Sequence, residues 1–532
     1  MSNNSITRSG SHGVSIDMQD SSFVGIGGVR IANNTITDNG SATGSTGDGI
    51  NVLLRDSAQI GSGLLNINAN TITDNTGNGV GLRAENSALL SAVLRGNTIT
   101  DNALAGVSVS SAAAPTVNVS LLEQNIIRTN GTDGVVFDMI DTNTTAVISN
   151  AIISDNGGFG IAATATGGSF DLTIGGALAT DRVLLDSNVG AGIAFTLLDT
   201  ATGTAFIANN RIINTTALAG STTYTGQAID IRLTDSGIPV TATSSLVNSL
   251  IISNELGSET TPADGNAGAG LVVFANNNTT IDTLIVGNNL VANNGAQGMV
   301  FDRRNTATVD GVILSDNRII NNPGVGVEIN VRNANNDVNN YLLARNEILN
   351  SGGVGVLLNV EADGQLQADL EDNIITGSGS HGIRLIETIN SENDTRFITG
   401  TWERNTISNN AGAGIFDDFA NGISGAAVSN LNIGTLGNGN TIQNNQGTGI
   451  VIGSPGTGTI TANSISGNGA GVAGTTGVGG IDLNIIRSTT NLINVWSISS
   501  NTIFANIGDG IEVLNDQPRF DFAETPVVSS TS

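Results

Sequence analysis

Five arginines lie close together in one part of the sequence, and a group of guanidinium side chains could bind an acidic sugar. They are Arg303, Arg304, Arg318, Arg332 and Arg345. Arg345 also belongs to a set of residues that alternate in charge just before the first residue of a repeat: Asp316, Arg345, Asp372 and Arg404. Stacked in this order, they would form an ion-pair ladder whose exposed pairs each contribute about 0.2–1 kcal/mol. The ladder leaves out Arg303, Arg304 and Arg332, which predict a ligand groove beside Asp302.

Three aspartates recur inside one hexapeptide. The peptide NTITDN occurs at residues 34–39, 70–75 and 97–102. Copies that stack on one another would place Asp38, Asp74 and Asp101 in a column of like charges, which is unfavourable. Either the carboxylates point into solvent, or they share Ca²⁺, which prefers oxygen ligands. Calcium is therefore the one cofactor that the sequence suggests, and both arrangements stay open.

The strands that would carry these residues belong to a sequence repeat. Asn-x-Ile, a polar turn, and Gly followed by apolar residues recur, as in NTITDNTGNGVGL from Asn70 and NRIINNPGVGVEI from Asn317. Alternating apolar residues between Asn, Asp and Gly turns predict β-strands, and no helical periodicity is present. About seventeen copies follow one another, with Asn150 and a degenerate Arg182 as the first residues of two of them. Each copy is expected to form one coil of a stack.

The repeats resemble those of the right-handed parallel β-helix proteins of the pectate-lyase-like superfamily, whose pattern Asn-x-Ile-x-x-Asn-x-x-x-Gly-Ile-x-Val they follow. The resemblance implies an all-β fold, a single right-handed parallel β-helix (β-solenoid) of about 17 coils. This domain is expected to cover residues 1–514, and residues 515–532 a Ser/Thr/Pro-containing tail or linker. The repeat is not specific for activity, because lyases, hydrolases, epimerases and non-enzymes share it.

Insertions into the repeat predict a second binding surface. The usual nine residues from Asn to Gly grow in two adjacent copies, from Asn210 to Gly226 and from Asn254 to Gly270. Insertions at one corner of a repeat protein often build its binding face. Tyr224, Glu259 and Asp264 lie on these two segments and form the expected recognition patch.

Candidate catalytic groups have simpler explanations. His12 and His381 occupy the same repeat position, which is a turn position in the other copies. Asp417 and Asp418 are adjacent, and adjacent strand residues point to opposite faces, so only one of them would face a groove. The Arg-x-Lys motif of the β-helical polygalacturonases is impossible here, because all 19 basic residues are arginine. We therefore predict no catalytic residues and a protein that is not an enzyme.

Composition excludes several classes of partner. A net charge of −27 repels phosphate backbones, so nucleic acid is not an expected partner. The chain has no Cys, hence no disulfide framework, and no apolar stretch long enough for membrane insertion. No secretion signal is visible at the start, yet the acidic, Lys-free composition is typical of exported proteins. We expect an extracellular or cell-surface location and a fragment of a longer protein.

These observations favour a structural or adhesive exported rod that associates with itself or with neighbouring domains. Solenoid ends expose strand edges, and such edges promote end-to-end assembly. The alternative is a carbohydrate-active β-helix, a lyase or hydrolase that binds acidic polysaccharide through its arginine face.

Overall fold

The computed structural model describes residues 1–25, 27–40, 46–235, 243–332, 338–388, 397–418, 429–453, 456–470, 479–484 and 495–514. The chain forms two compact units. The N-terminal unit comprises Met1–Val273 and Asn278–Leu284, and the C-terminal unit comprises Phe274–Asn277 and Ile285–Ser532. The predicted tail, residues 515–532, lies outside the described residues.

A sheet of short strands carries the Asn-x-Ile part of the repeat in each unit. In the N-terminal unit these strands are Ser5–Thr7, Thr35–Thr37, Thr71–Thr73, Thr98–Thr100, Asn125–Arg128, Ala151–Ser154, Val183–Asp186, Arg211–Ile213 and Glu255–Gly257. In the C-terminal unit they are Leu290–Ala292, Arg318–Ile320, Glu347–Leu349, Ile374–Thr376, Thr406–Ser408, Thr441–Gln443, Ser464–Ser466 and Thr502–Phe504. Neighbouring strands pair in parallel, so that Ile36, Ile72 and Ile99 form one column.

A second sheet of longer strands follows the Gly of each repeat. In the N-terminal unit its strands are Val14–Met18, Phe23–Val24, Val29–Ala32, Ile50–Leu54, Gln59–Asn68, Val80–Glu85, Leu89–Arg95, Val107–Ala112, Thr116–Leu122, Val135–Ile148, Ile161–Gly175, Ala191–Leu198, Thr202–Ala208, Gln227–Thr234, Ser244–Leu246, Ser249–Ile252 and Thr279–Ile281. Two strands, Leu271–Asn276 and Leu284–Gly287, have residues in both units.

In the C-terminal unit the long-sheet strands are Met299–Arg304, Thr308–Val309, Val312–Ser315, Val327–Arg332, Val338–Ala344, Val356–Glu361, Gln365–Glu371, Ile383–Thr388, Phe397–Glu403, Ile415–Asp418, Ser429–Ile433, Ile450–Ile452, Gly456–Thr461, Ile481–Asn484, Val495–Ser499 and Ile511–Leu514. The described residues also contain two short 3-10 segments, Ala179–Asp181 and Pro262–Asp264.

The core is a set of stacked aliphatic columns. Ile36, Ile72 and Ile99 are each 0% exposed. Burying a side chain of this size stabilises the fold by about 1.5–3 kcal/mol. The Gly of the repeat, just before the first long strand of a coil, is required by close packing, since a Cβ on Gly79 would lie 2.3 Å from Ile99 Cγ2. Side-chain alternation, small corner residues and inward aliphatic columns therefore explain why the repeat folds into coils.

Two ladders of asparagine line the corners between the sheets. Asn70 donates its backbone N–H and its side-chain amide to Asn97 Oδ1, at 3.0 Å each. Asn75 makes the equivalent bonds to Asn102 at the other end of the short strand. The ladders are buried, and each amide also donates to a carbonyl of an adjacent coil, as Asn97 does to Ile67. Amides can repeat in a column because each one both donates and accepts.

The predicted all-β parallel solenoid is confirmed, and the described residues form nine short strands in the N-terminal unit and eight in the C-terminal unit. Two coils begin one residue later than predicted. Asn125 pairs with Ala151, and Ala151 pairs with Val183, so these residues replace the predicted Asn150 and Arg182. Asn150 instead occupies the corner before the strand, with φ of 50°. Asparagine tolerates this left-handed conformation, which is why its presence there misled the alignment.

Candidate functional site

The predicted ion-pair ladder lies on the corner that precedes the short strands of the C-terminal unit. Asp316, Arg345, Asp372 and Arg404 all have φ between 56° and 58°. Arg345 donates from Nε and Nη2 to the two carboxylate oxygens of Asp316, at 2.7 Å each. Arg404 does the same to Asp372, at 2.8 and 3.0 Å. These hydrogen bonds hold the pKa of Asp316 and of Asp372 below the ordinary value. The ladder thus consists of two closed pairs.

One predicted ligand residue, Arg303, is not on the surface, so the prediction that it binds a ligand is wrong. Its strand alternates, so that Met299, Phe301 and Arg303 point inward. Arg303 is 1% exposed. Desolvation raises the pKa of the buried Tyr341 hydroxyl, and the positive charge of Arg303 opposes that rise. Arg303 is therefore a core residue and cannot line a groove.

The other two arginines, Arg304 and Arg332, lie on the outward side of three adjacent strands, Met299–Arg304, Val327–Arg332 and Val356–Glu361. Register places Arg304 beside Arg332 and then Glu361 in one column, and Asp302 beside Asn330 and then Asn359 in the next. We call these residues, together with Glu328, the polar face. The polar face comprises Asp302, Arg304, Glu328, Asn330, Arg332, Asn359 and Glu361.

One end of the polar face is well bonded. Arg304 donates to Asp302 Oδ2 from Nε at 3.0 Å and from Nη2 at 2.6 Å. Its guanidinium also lies 5.2 Å from the centre of the Phe274 ring, within the range of a cation–π contact. Asn330 donates to Glu328 Oε1 at 2.8 Å. Asn359 in turn donates to Asn330 at 2.9 Å.

Arg332 is held less closely. Its Nε lies 3.7 Å from Asp302 Oδ1 and 3.6 Å from Glu361 Oε1, which is ion-pair distance but beyond a good hydrogen bond. Arg332 Nε, Asp302 Oδ1 and Asn359 Oδ1 are buried atoms without a hydrogen-bond partner. These three atoms of the polar face are therefore shielded from solvent and are not hydrogen-bonded by its own side chains.

The predicted recognition patch in the N-terminal unit is divided between two sites. Tyr224 packs edge-on against Phe159, with ring centroids 4.8 Å apart, and lies 5.3 Å from the Arg232 guanidinium. Asp264 instead accepts a hydrogen bond from Arg211 of the short sheet, at 3.1 Å. Glu259 is half-buried on the same insertion as Asp264. Ligand binding by Tyr224, Glu259 and Asp264 stays a prediction. The two insertions contact different sheets, because Tyr224 lies by Arg232 of the long sheet and Asp264 bonds to Arg211 of the short sheet.

Tyr224 covers an ion pair that the sequence did not indicate. Asp230 points outward from the long sheet, yet it is 0% exposed. Arg232 donates to it from Nη2 at 2.9 Å. Burial raises the pKa of Asp230, and Arg232 opposes that rise. Because Tyr224 of the insertion lies over Arg232 of this pair, the pair links the insertion to the long sheet.

The three repeated aspartates occupy the corner that follows the short strands. Asp38, Asp74 and Asp101 have φ of 56°, 56° and 57°. Asp tolerates this left-handed region, which explains its recurrence there without a ligand. Asp74 accepts a hydrogen bond from Thr73 at 2.9 Å, and Asp101 accepts one from Thr129 at 2.6 Å.

Within the described residues no group of three or more His, Asp or Glu side chains is placed to hold a metal ion. Calcium binding by Asp38, Asp74 and Asp101 stays a prediction. If ions bridge the column, a chelator should lower the melting temperature. An unchanged melting temperature would remove calcium from consideration.

Both histidines accept hydrogen bonds from the backbone of the next coil. His12 Nδ1 accepts from the N–H of Asp48, and His381 Nδ1 from that of Ala413, each at 3.0 Å. The His381 ring also stacks on Phe416, with centroids 4.3 Å apart. Desolvation lowers the pKa of His381 to about 4, so its ring is neutral at pH 7. Both side chains act as turn residues that join coils.

One pair of carboxylates was not singled out from the sequence. Asp482 and Glu512 are register neighbours on adjacent long strands and point outward. Desolvation, with a smaller contribution from Glu512, raises the pKa of Asp482 to about 6. The column that runs from Val451 to Asp482 and Glu512 could have revealed the pair.

Comparison with known proteins supports the fold. Residues 1–176 match a family described as the right handed beta helix region. Neither the curated proteins nor the solved structures gave a match. Among the helical segments of the described residues, none is long and apolar enough to cross a membrane.

Proposed function

We propose that this chain, a right-handed parallel β-helix repeat protein, is a non-enzymatic structural or adhesive scaffold of an extracellular or cell-surface assembly. The observation that carries the proposal is the use of its charges. Arginines of both units pair with carboxylates of adjacent coils, as Arg55 does with Asp17, Arg95 with Glu123 and Arg404 with Asp372.

Such pairs support a structural role because they connect coils and occupy arginine side chains that could otherwise bind an anionic substrate. A catalytic site instead needs acids and bases whose pKa values are matched to proton transfer. The arginine and aspartate side chains of the ladder are closed on one another. The asparagine ladders beneath them use their amides in the same way, between coils.

The proposal is tested with the purified chain in two parallel assays. Electron microscopy and light scattering over a range of concentrations should detect ordered assembly, as expected of a structural protein. Incubation with acidic and neutral polysaccharides should release no new reducing ends or unsaturated products. A monomer at every concentration that also degrades a polysaccharide would contradict the proposal.

A carbohydrate-active enzyme is the second candidate, and Asp482 with Glu512 is the observation that favours it. Glycoside hydrolysis uses two carboxyl groups, of which the acid has a raised pKa. Asp482 has such a pKa, at about 6, beside the carboxylate of Glu512. If the degradation assay is positive, Asp482→Asn and Glu512→Gln should abolish the activity, whereas Asp372→Asn on the ladder should leave it unchanged.

A further inference from the structure

We infer that Asn438 is a modification site, at which the asparagine deamidates through its own backbone to aspartate and isoaspartate. The backbone nitrogen of Gly439 attacks the side-chain carbonyl carbon of Asn438, and a new C–N bond closes a succinimide ring. The side-chain nitrogen leaves as ammonia together with the proton of the attacking nitrogen. Water then opens the ring at either carbonyl, which gives aspartate or isoaspartate. The reaction needs no cofactor and no oxidant, and it is independent of the proposed scaffold function.

Asn–Gly is the dipeptide that favours this ring closure, because glycine has no side chain to hinder the approach and lets the backbone bend. The chain contains eight Asn–Gly pairs, which begin at residues 39, 78, 130, 156, 294, 421, 438 and 468. Seven of them belong to the described residues, and the pair at 421 lies outside these. The sequence alone therefore does not distinguish Asn438 from the others.

Hydrogen bonds between coils hold the other described pairs in place. Five of their glycines donate the backbone N–H to a carbonyl of an adjacent coil at 2.8–2.9 Å, namely Gly40, Gly79, Gly131, Gly157 and Gly469. Five of their asparagines are 0–2% exposed and bonded within the amide ladder that follows the short strands, namely Asn39, Asn130, Asn156, Asn294 and Asn468. Asn78 is bonded to Asp48 and Ala105, at 3.1 Å each. Ring closure at these positions requires the coil to open locally.

Asn438 instead lies on a projecting turn between the strands Ser429–Ile433 and Thr441–Gln443. The N–H of Asn438 donates to the carbonyl of Thr435 at 2.9 Å, which closes the turn. Leu436 at its tip is 83% exposed. The turn thus stands outside both sheets and both amide ladders.

The two reacting groups on this turn are unrestrained. Within the part of the chain that the structure describes, the Gly439 N–H and the Asn438 side-chain amide form no hydrogen bond. Asn438 is half-buried, so water can reach its side chain. Ring closure here requires only rotation of the asparagine side chain and a small change of the turn.

The position of the turn gives the modification a structural effect. Gly439 is followed by Asn440, whose backbone N–H and amide each donate to Asn463 Oδ1 at 2.9 Å. Isoaspartate adds a carbon atom to the main chain just before this ladder residue. A Cβ on Gly439 would lie 1.8 Å from the Ala462 carbonyl oxygen, so the chain has little room to shift. Isoaspartate therefore strains the ladder and lowers the stability of this coil.

The test is incubation of the full folded chain at neutral and mildly alkaline pH, below its melting temperature, followed by peptide mapping with mass spectrometry. Trypsin leaves Asn421, Asn438 and Asn468 on one peptide, because no basic residue lies between Arg404 and Arg487, so a second protease is used. Replacement of the amide nitrogen by oxygen marks deamidation at each site, and an isoaspartate-specific methyltransferase labels the isomer.

Two controls accompany this test. Asn438→Gln is the blocked variant, because its longer side chain closes a larger and less favourable ring. Circular dichroism establishes that this variant is folded. The same chain incubated in denaturant shows how fast each Asn–Gly pair reacts when the fold no longer holds it.

In the folded chain we expect Asn438 to deamidate faster than Asn156 and Asn468 by on the order of tenfold or more, since these two require local unfolding. The rate at Asn438 should rise with pH, because the attacking nitrogen must lose its proton. In denaturant the three sites should react at similar rates. Equal rates at Asn438 and Asn156 in the folded chain would overturn the inference, as would an unreacted Asn438 in a chain that reacts there once unfolded.

The structural effect has its own measurement. The aged parent chain should melt at a lower temperature than the fresh chain, whereas the aged Asn438→Gln chain should not. Equal melting temperatures of aged and fresh parent chain would contradict the effect on the coil. None of these results bears on the proposed scaffold, which fails only if the chain does not assemble and degrades polysaccharide.

Discussion

Arg345 of the ladder and Arg332 of the polar face both lie beside carboxylates in the same unit, yet Arg345 is closed on its partner and Arg332 is not. In the ladder, Arg345 donates two hydrogen bonds of 2.7 Å to Asp316. On the polar face, Arg332 stays 3.6–3.7 Å from two carboxylates. Both arrangements bring arginine next to an acid on an adjacent coil. Sequence columns therefore predict which residues are neighbours, but not whether their hydrogen bonds are satisfied.

The backbone beneath the two arginines also differs. Ladder residues sit at a left-handed corner, where φ is 58° for Asp316 and 56° for Arg345. Side chains that leave a corner can lie along the stack and meet end to end. Polar-face residues instead stand upright on strands about 4.8 Å apart. Arg332 is flanked there by an acid on each side, at 3.6 and 3.7 Å, whereas Arg304 in the same column is closed on Asp302.

The largest expected effect concerns the amide ladder under the charged corner. Asn346 follows Arg345, accepts two hydrogen bonds from Asn317, and donates to Leu314 and Asn373. Asn346→Ala would leave buried donors and a carbonyl unsatisfied, at a cost of about 3 kcal/mol in the free energy of unfolding. Chemical denaturation of the full chain would measure it.

Asn340→Ala serves as the control, since Asn340 makes one exposed hydrogen bond to the Asp310 carbonyl. It should cost less than about 1 kcal/mol. Equal costs at both positions would mean that the buried ladder contributes no more than surface hydrogen bonds. The closed corner would then have to be stable without it.

The second effect compares the lowered pKa values of the ladder aspartates with the raised pKa of Asp482. The pKa of Asp482 is raised from 3.8 to about 6, so the folded state binds more protons than the unfolded state between these values. The free energy of unfolding should therefore fall as pH rises from about 4 to about 6, by about 1–2 kcal/mol once the full linkage value of about 3 kcal/mol is reduced for solvent screening of this partly solvated group. Asp482→Asn should lose this dependence and be more stable than the parent chain at pH 7.

The ladder aspartates have the opposite sign. Their folded pKa values are lowered by arginine, so the stability they add is present above the unfolded pKa and is lost as pH falls. Difference curves between the parent chain and Asp482→Asn isolate the Asp482 contribution from theirs. If the difference curve is flat with pH, the raised pKa of Asp482 is wrong.

The third effect extends a ladder that is interrupted. Ser351 and Ser378 occupy asparagine positions in the second ladder, and their hydroxyls are buried without a hydrogen-bond partner. Ser351→Asn and Ser378→Asn together would restore the acceptors that follow Asn322 and precede Asn410. We expect a gain of about 0.5–1.5 kcal/mol for each restored bond, measured by denaturation. A loss of stability would mean that the corner is too narrow for an amide.

Much of this architecture could be predicted from the sequence because the repeat occurs many times. Asn, Ile and Gly recur at the positions that become the ladder, the core column and the close approach, and Asp74 recurs because the corner needs a left-handed residue. The inward orientation of Arg303 could also have been predicted, since it lies two residues after Phe301 on one strand and so points to the same side. The burial of Asp230 was not, because it depends on how a non-repeating insertion folds back over the sheet.

The smallest effect measures the closed and the open pairs directly. A double-mutant cycle with Asp316→Asn and Arg345→Gln should give a small favourable coupling that weakens as salt is added. The same cycle with Arg332→Gln and Glu361→Gln should give less, because no hydrogen bond joins those residues at 3.6 Å. If the two cycles give equal couplings, the ion pairs of the ladder and of the polar face differ in geometry but not in their contribution to stability.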